Sequence, residues 1–182
     1  DVFSASPDPV VVPSGSCGDM VIHHYAALLA DDPAYAQRAR DLAARTYELT
    51  AFLVDVLGVT DVGARRPGES VAYHAACHGL RGLGLREQPM RLLAGIDGAT
   101  ITDLPEHDVC CGFGGLFAVK MADVSSAMLA RKLDCIERCG ARTIAVTDVS
   151  CGMHMAGGLR RRGSPIQVRH IADLLDPDPE GR

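Results

Sequence analysis

The sequence predicts an α/β fold with a largely parallel sheet, assembled from strand–Cys–helix units into a cysteine-rich domain. Three observations lead there. Short β-branched runs alternate with helical patterns along the chain, the pattern of a parallel sheet crossed by helices. Three of these runs end alike, in a small polar turn, a cysteine and the start of a helix: VVVPSGSC-G, VAYHAAC-H and IAVTDVSC-G. Their spacing is irregular, so the repetition is one of kind and not a solenoid. Finally, the stretch DVCCGFGG places two adjacent cysteines ahead of three glycines.

The elements follow in order. Residues 9–17, PVVVPSGSC, read as a buried strand running into a turn, with Cys17 between strand and helix. DMVIHHYAALLA is helical. Pro33 opens a long helical pattern, AYAQRARDLAARTYELTAFLVDVLG, whose Leu42, Leu49, Leu53 and Val56 share one apolar face before Gly58 stops it. TDVGARRPGES is a loop and a boundary between two halves. VAYHAAC is a strand reaching Cys77, followed by a short helix or turn at His78-Gly79-Leu80. Pro89 starts the helix MRLLAGI, which Asp97-Gly98 ends, and Ala99 to Asp103 is a strand leading through LPEH to Cys110. LFAVKMADVSSAMLARKLDCIERCG is one helix, or two broken near Asp123, with Asp123 or Ser125 as cap and Gly140 as stop. TIAVT, the helical MHMAGGLRRRG, the strand PIQVR and the helix HIADLL complete the chain.

Composition bounds the function. A chain of 182 residues suits one domain, or two small halves sharing a core. With 47% hydrophobic residues it reads as soluble and globular, and a net charge of -5 argues against nucleic acid as partner. No apolar run approaches the roughly 18 residues of a membrane span, so direct insertion is not expected. The absence of Trp leaves little for stacking on bases or sugars. DVFSASPDP has no secretory pattern, and the missing initiator Met suggests a fragment or processed form. Seven cysteines without such a signal point to a reducing, cytoplasmic setting, where clustered thiols are ligands or redox groups more often than disulfides.

Two neighbouring cysteines on a strand point to opposite sides. Both reach one ligand only if the backbone folds around it, which Gly112, Gly114 and Gly115 permit. A vicinal disulfide would be strained. Cys77, Cys110, Cys111 and Cys151 make four thiols, with gaps of 32 and 39 residues around the central pair. Four thiolates suit zinc or a [4Fe–4S] cluster. Structural zinc ligands usually come in pairs two to four residues apart, so ligands spread over strand ends suit a larger object better. Helix N-termini and glycine N–H groups near each cysteine favour its negative charge.

The arrangement Cys77-x32-Cys110-Cys111-x39-Cys151 resembles the cysteine-rich CCG domain of iron–sulfur oxidoreductases. That family includes the iron–sulfur subunit of glycolate oxidase and the cysteine-rich subunits of heterodisulfide reductase and of anaerobic glycerol-3-phosphate dehydrogenase. PSGSC, YHAACHGLRGLG, CCGFGGLFAVKMADVS and DVSCGMHMAGGLRR look most like its lactate-utilization branch, over nearly the whole chain. The resemblance implies an electron-transfer subunit in the oxidation of a small 2-hydroxy acid, L-lactate to pyruvate. It implies as partners other iron–sulfur or redox subunits of a lactate or glycolate oxidation complex, which would also be the route to any membrane association. It implies a [4Fe–4S]-type cluster on the four cysteines, shaped by the three glycines, and names no catalytic residue. Residues 1–62 then form the remainder of an N-terminal CCG half plus a long connecting helix, and residues 63–182 a complete C-terminal half. Relatives carry an earlier cysteine set, of which Cys17 looks like the last member. Where the family motif often ends Cys-x-x-Cys, this chain has Cys151-x-x-His154, so His154 is a further candidate ligand. A cluster-based disulfide reductase subunit and a structural zinc scaffold are the alternative readings.

Other residues have plainer readings beside sharper ones. Cys135 and Cys139 lie one helical turn apart and read as core or helix-end residues. His74 and His78 flank Cys77 as structural histidines, or as second hydrogen-bonding partners of a metal centre. His23 and His24 have no obvious metal partner. Lys120 is either solvated or a counter-charge to a cluster. Arg160, Arg161 and Arg162 suit a helix C-terminus, or a patch for an acidic redox partner. Gly79, Gly82 and Gly84 are too loosely spaced for a dinucleotide fingerprint.

Overall fold

The computed structural model of the protein describes residues 2–178. Asp1 and residues 179–182, the outermost residues of the two halves read from the sequence, lie outside the described residues. After a short 3-10 turn, Val2–Ala5, the chain forms β1 (Val10–Val12) and α1 (Gly15–Asp19). A π-helical turn, Met20–His24, carries α1 into α2 (Tyr25–Leu28), and α3 follows at Pro33–Ala43. Then come β2 (Thr46–Glu48), α4 (Leu49–Ala51) and a second π-helical turn, Phe52–Val56. The second half holds β3 (Ser70–His74), a third π-helical turn (His78–Gly82), α5 (Gln88–Ala94) and β4 (Thr100–Thr102). It continues with α6 (Leu116–Lys120), α7 (Ala122–Arg138) and β5 (Thr143–Val146). Finally α8 (Val149–Arg161), β6 (Gln167–His170) and α9 (Ile171–Leu175) complete it.

The α/β architecture stands, and among the described residues every strand pair is parallel. The larger sheet has the order β4-β3-β5-β6, the smaller pairs β1 with β2. β3 and β5 are the buried centre, as expected of parallel strands covered on both faces. Alternation divides their side chains. Ala72, Ile144 and Val146 meet Leu129, Leu133 and Ile136 of α7 and Met155 and Leu159 of α8. Val71, Tyr73 and Ala145 meet Leu92 and Leu93 of α5 and Ile171 and Leu174 of α9. Among the described residues, no helix is long and apolar enough to cross a membrane.

The long helix expected after Pro33 is two helices with a strand between them. Thr46, Tyr47 and Glu48 leave the helical path to pair in parallel with Val10, Val11 and Val12. Thr and Tyr favour a pleated surface, and β1 would otherwise leave its backbone groups unpaired. Glu48 then caps α4, its carboxylate accepting from the amides of Thr50 (2.7 Å) and Ala51 (3.3 Å). The helical face of Leu42, Leu49, Leu53 and Val56 is thereby split among three elements, and Val56 is exposed. A second difference concerns the break after the glycines. It falls at Met121, with φ -122° and ψ 48°, and neither Asp123 nor Ser125 caps α7. Ser125 is buried and donates instead to the carbonyl of Gly112 at 2.7 Å.

The segments that carry the two sheets meet at the first cysteine turn. Gly15 packs so closely that a Cβ there would lie 2.9 Å from the Gly79 amide nitrogen. The Gly15 amide donates to the Thr147 carbonyl at 3.3 Å, and the Ser16 amide to the Asp148 carboxylate at 2.9 Å. Asp148 also caps α8 through the Ser150 amide at 3.1 Å. Although burial acts to raise it, bonds from Ser150 and Ser16 hold this carboxyl below its ordinary pKa.

Glu48 carries a pH dependence. Its Oε1 is buried without a hydrogen-bond partner among the described residues, and burial, the leading influence, raises its pKa above the ordinary 4.5. The folded chain therefore binds this proton more tightly than the unfolded chain. Glu48 weighs against folding increasingly as pH rises from 4.5 through the raised value. Glu48→Gln is expected to gain stability relative to the parent at about pH 8 and to gain little at about pH 5. Urea midpoints at both values check this, and an equal difference at each would remove burial as the cause.

Candidate metal centre

Adjacent parallel strands deliver the cysteines to one end of the sheet. β3 ends at His74, and Cys77 stands just before the π-helical turn His78–Gly82. β4 gives way to the loop 103–115 with Cys110 and Cys111. β5 ends at Val146, and Cys151 lies in the first turn of α8. Ligands of open α/β sheets bind at this carboxyl edge. The vicinal pair is anchored from behind: Ala75 donates its amide to the His107 carbonyl at 3.0 Å, and Ser125 holds Gly112.

The four predicted cysteines come together. Donor atoms of His74, Cys111 and Cys151 all lie within 4.8 Å of one another. Cys77 is acted on by Cys110 and Cys111, and Cys151 in turn by Cys77. Cys111 and Cys151 are buried while Cys77 and Cys110 are half-buried, so the group has an inner and an outer side. The Gly112 amide points at the Cys110 sulfur at 3.4 Å.

His74 joins this group, where the sequence favours an ordinary structural histidine. It is 1% exposed, and among the described residues neither ring nitrogen has a hydrogen-bond partner of ordinary geometry. An unpaired buried polar group costs about 1–3 kcal/mol. His74, buried beside two thiols and acting on Cys111, is thus a candidate nitrogen donor to a metal. The signal in the sequence is parity: His74 lies two residues beyond Ala72, on the strand face that looks toward Cys111 and Cys151. Sulfur and imidazole donors suit zinc or an iron–sulfur group, so the residues present fit either.

A cysteine-rich domain family model matches residues 71–156, which span all four cysteines and His74. The chain is 47% identical to lactate utilization protein A of Exiguobacterium sp. over 172 residues, 94% of this chain and 69% of that protein. It is 46% identical to lactate utilization protein A of Bacillus subtilis over 167 residues, 92% of this chain and 69% of that protein. For the protein of the same name from Lysinibacillus sphaericus the identity is 44%, covering 93% of this chain and 73% of that one. The chain belongs to the lactate utilization protein A family.

In this family member the inner thiols form one electrostatic unit. Cys111 is pulled down to about 4, first by a hydrogen bond from Cys151 and then, against its burial, by the His74 ring and the Phe113 amide. Cys151 is pushed far up, first by that same bond and then by burial. The pair thus favours the thiolate, the form that binds metal, at Cys111 and the proton at Cys151. Cys77 is raised by burial first and by Cys110 second.

Other sequence candidates fall elsewhere. Cys17 is exposed in α1, the helix that packs on the turn His78–Gly82, and the three-donor group does not include it. His154 packs its ring on Phe113 at 5.5 Å, and its Nε2 is buried and unpartnered among the described residues. His78 is bound to Asp19 at 2.7 Å, and His24 lies 3.8 Å from the same carboxylate. Cys135 is buried and Cys139 packs against the same core, matching the plain reading of both. Arg162 pairs with Asp134 and Glu137 of α7 at 2.7 and 2.8 Å, which ties the two helices together.

The glycines of the loop are not equivalent. Gly112 has φ +90°, and a Cβ there would lie 2.6 Å from the Ser125 carbonyl oxygen and 2.8 Å from the Met128 Cβ. Gly114 has φ +106°, but its nearest neighbour, the Phe117 Cβ, is 3.4 Å away. Gly115 has φ +56° and open space around it. Gly112→Ala is expected to cost about 3 kcal/mol, from a strained backbone and a displaced α7. Gly114→Ala should lose only the backbone part, about 1 kcal/mol. Urea unfolding of the two variants decides, and equal losses would show that crowding at Gly112 is unimportant.

Proposed function

We propose that this chain is an iron–sulfur electron-transfer subunit that works with other redox subunits to oxidise a small 2-hydroxy acid, L-lactate to pyruvate. One observation carries the reading: four thiols from three strand ends come together at the carboxyl edge of the sheet, and the inner two, Cys111 and Cys151, lie beside the buried His74. The names of the relatives support lactate as the substrate. A bound [4Fe–4S]-type cluster would supply a one-electron carrier. Cys77, Cys110, Cys111 and Cys151 would hold it, with His74 as an additional nitrogen donor. Burial of Cys111 and Cys151 keeps water from the inner side, and the Gly112 amide directs a partial positive charge at Cys110. A redox partner would approach on the side of the half-buried Cys77 and Cys110.

A zinc scaffold is the second reading. It is favoured by the three donors within 4.8 Å, a span that suits a single ion. Iron, zinc and acid-labile sulfide per chain on anaerobically prepared protein, with EPR before and after dithionite, separate the two. The relay reading expects about four iron and four sulfide per chain and a reducible signal. Cys111→Ser is expected to lose bound iron on the order of 10- to 100-fold, while Cys17→Ser keeps it. Stoichiometric zinc without sulfide would establish the scaffold instead.

A further inference from the structure

Lys132 is the largest fully buried side chain among the described residues, only 1% exposed in the middle of α7. Its neighbours along the helix, Leu129, Leu133 and Ile136, are core. Its ammonium donates to the backbone carbonyl of Glu106. Among the described residues Glu106 is the one non-glycine with positive φ, at 56°, and it lies in the loop that carries Cys110 and Cys111. Outside, the Glu106 carboxylate is gripped by Arg131 at 2.6 and 2.8 Å. Two successive cations of α7 therefore clamp one residue, Arg131 from solvent and Lys132 from the core.

An amide would serve to hold a carbonyl, and at less cost than a buried charge. The ammonium has further company. Burial, the leading influence, lowers its pKa, while Cys135, Cys111, Glu106 and Asp108 all favour its charged form. Lys120, the counter-charge that the sequence suggests, is exposed at the end of α6. Lys132 is the cation enclosed behind the thiols, where low dielectric strengthens its field.

We propose that Lys132 is a positioning residue of the cysteine centre with two effects. Its hydrogen bond fixes the Glu106 turn and with it the vicinal pair, and its charge favours the electron-richer state of a cluster held there. The second effect rests on the relay reading above, and the first does not.

Two variants separate them. Lys132→Gln keeps a donor for the Glu106 carbonyl and removes the charge, whereas Lys132→Met removes both. With the cluster present, Lys132→Gln is expected to retain parental iron and sulfide but to show a lower midpoint potential in an EPR-monitored redox titration. An unchanged potential overturns the charge effect. In the metal-free chain, hydrogen exchange of residues 103–112 is expected to speed up several-fold in Lys132→Met and little in Lys132→Gln. Unchanged exchange in Lys132→Met overturns the positioning effect. Should Lys132→Met fail to fold, accelerated exchange in Lys132→Gln would itself count against the shared hydrogen bond. A parental chain without iron or sulfide defeats the relay reading and the charge effect together, and leaves positioning to the exchange data.

Discussion

Parallel pairing of β4, β3 and β5 is the constraint on which the rest depends. Parallel neighbours need a crossover at the far side, so all their carboxyl ends share one edge. That edge receives the turn after β3, the loop after β4 and the start of α8 after β5. Residues far apart in the chain reach one place without any cysteine having to leave its own turn. The helices that cover the sheet then enclose the inner thiols, and α7 supplies the side chains that hold the loop. Antiparallel pairing of the same strands would divide the cysteines between two ends.

Much of this was legible in the sequence. The β-branched runs at Val10, Val71, Thr100 and Thr143 and the run ending in Arg169 all mark strands, because an apolar run between turn residues has few other uses. The candidate thiols could be read from Cys110-Cys111 and its glycines, because adjacent thiols on a bent backbone have few structural uses, and the structure brings them together with Cys77 and Cys151. β2 was hidden, since three residues inside a helical repeat carry too little pattern to oppose it. Only β1, distant in sequence, makes that strand worthwhile. The break near Asp123 is one of two readings of that stretch, but its place at Met121 carries no capping side chain, since neither Asp123 nor Ser125 caps α7.

In the sequence His74 reads only as structural or as a hydrogen-bonding neighbour of the centre, and Lys132 is not singled out, for a related reason. A histidine at a strand end and a lysine in an amphipathic helix each have an ordinary place, and neither residue type announces burial. Their significance comes from what faces them: two thiols for His74, and a carbonyl at positive φ for Lys132. Such facing is a property of the assembled layers. It is also where the protein departs from the rule that buried polar groups are paired in kind.

The seating of the Ser14–Cys17 turn on Thr147 and Asp148 has a wider consequence. A two-stranded sheet is marginal alone, so β1 and β2 borrow their order from this contact with the larger sheet. The same contact makes the amino-terminal layer a cover for the Cys77 turn: Gly15 lies directly on Gly79, so any side chain at Gly15 would push the cover off the turn that carries a candidate ligand.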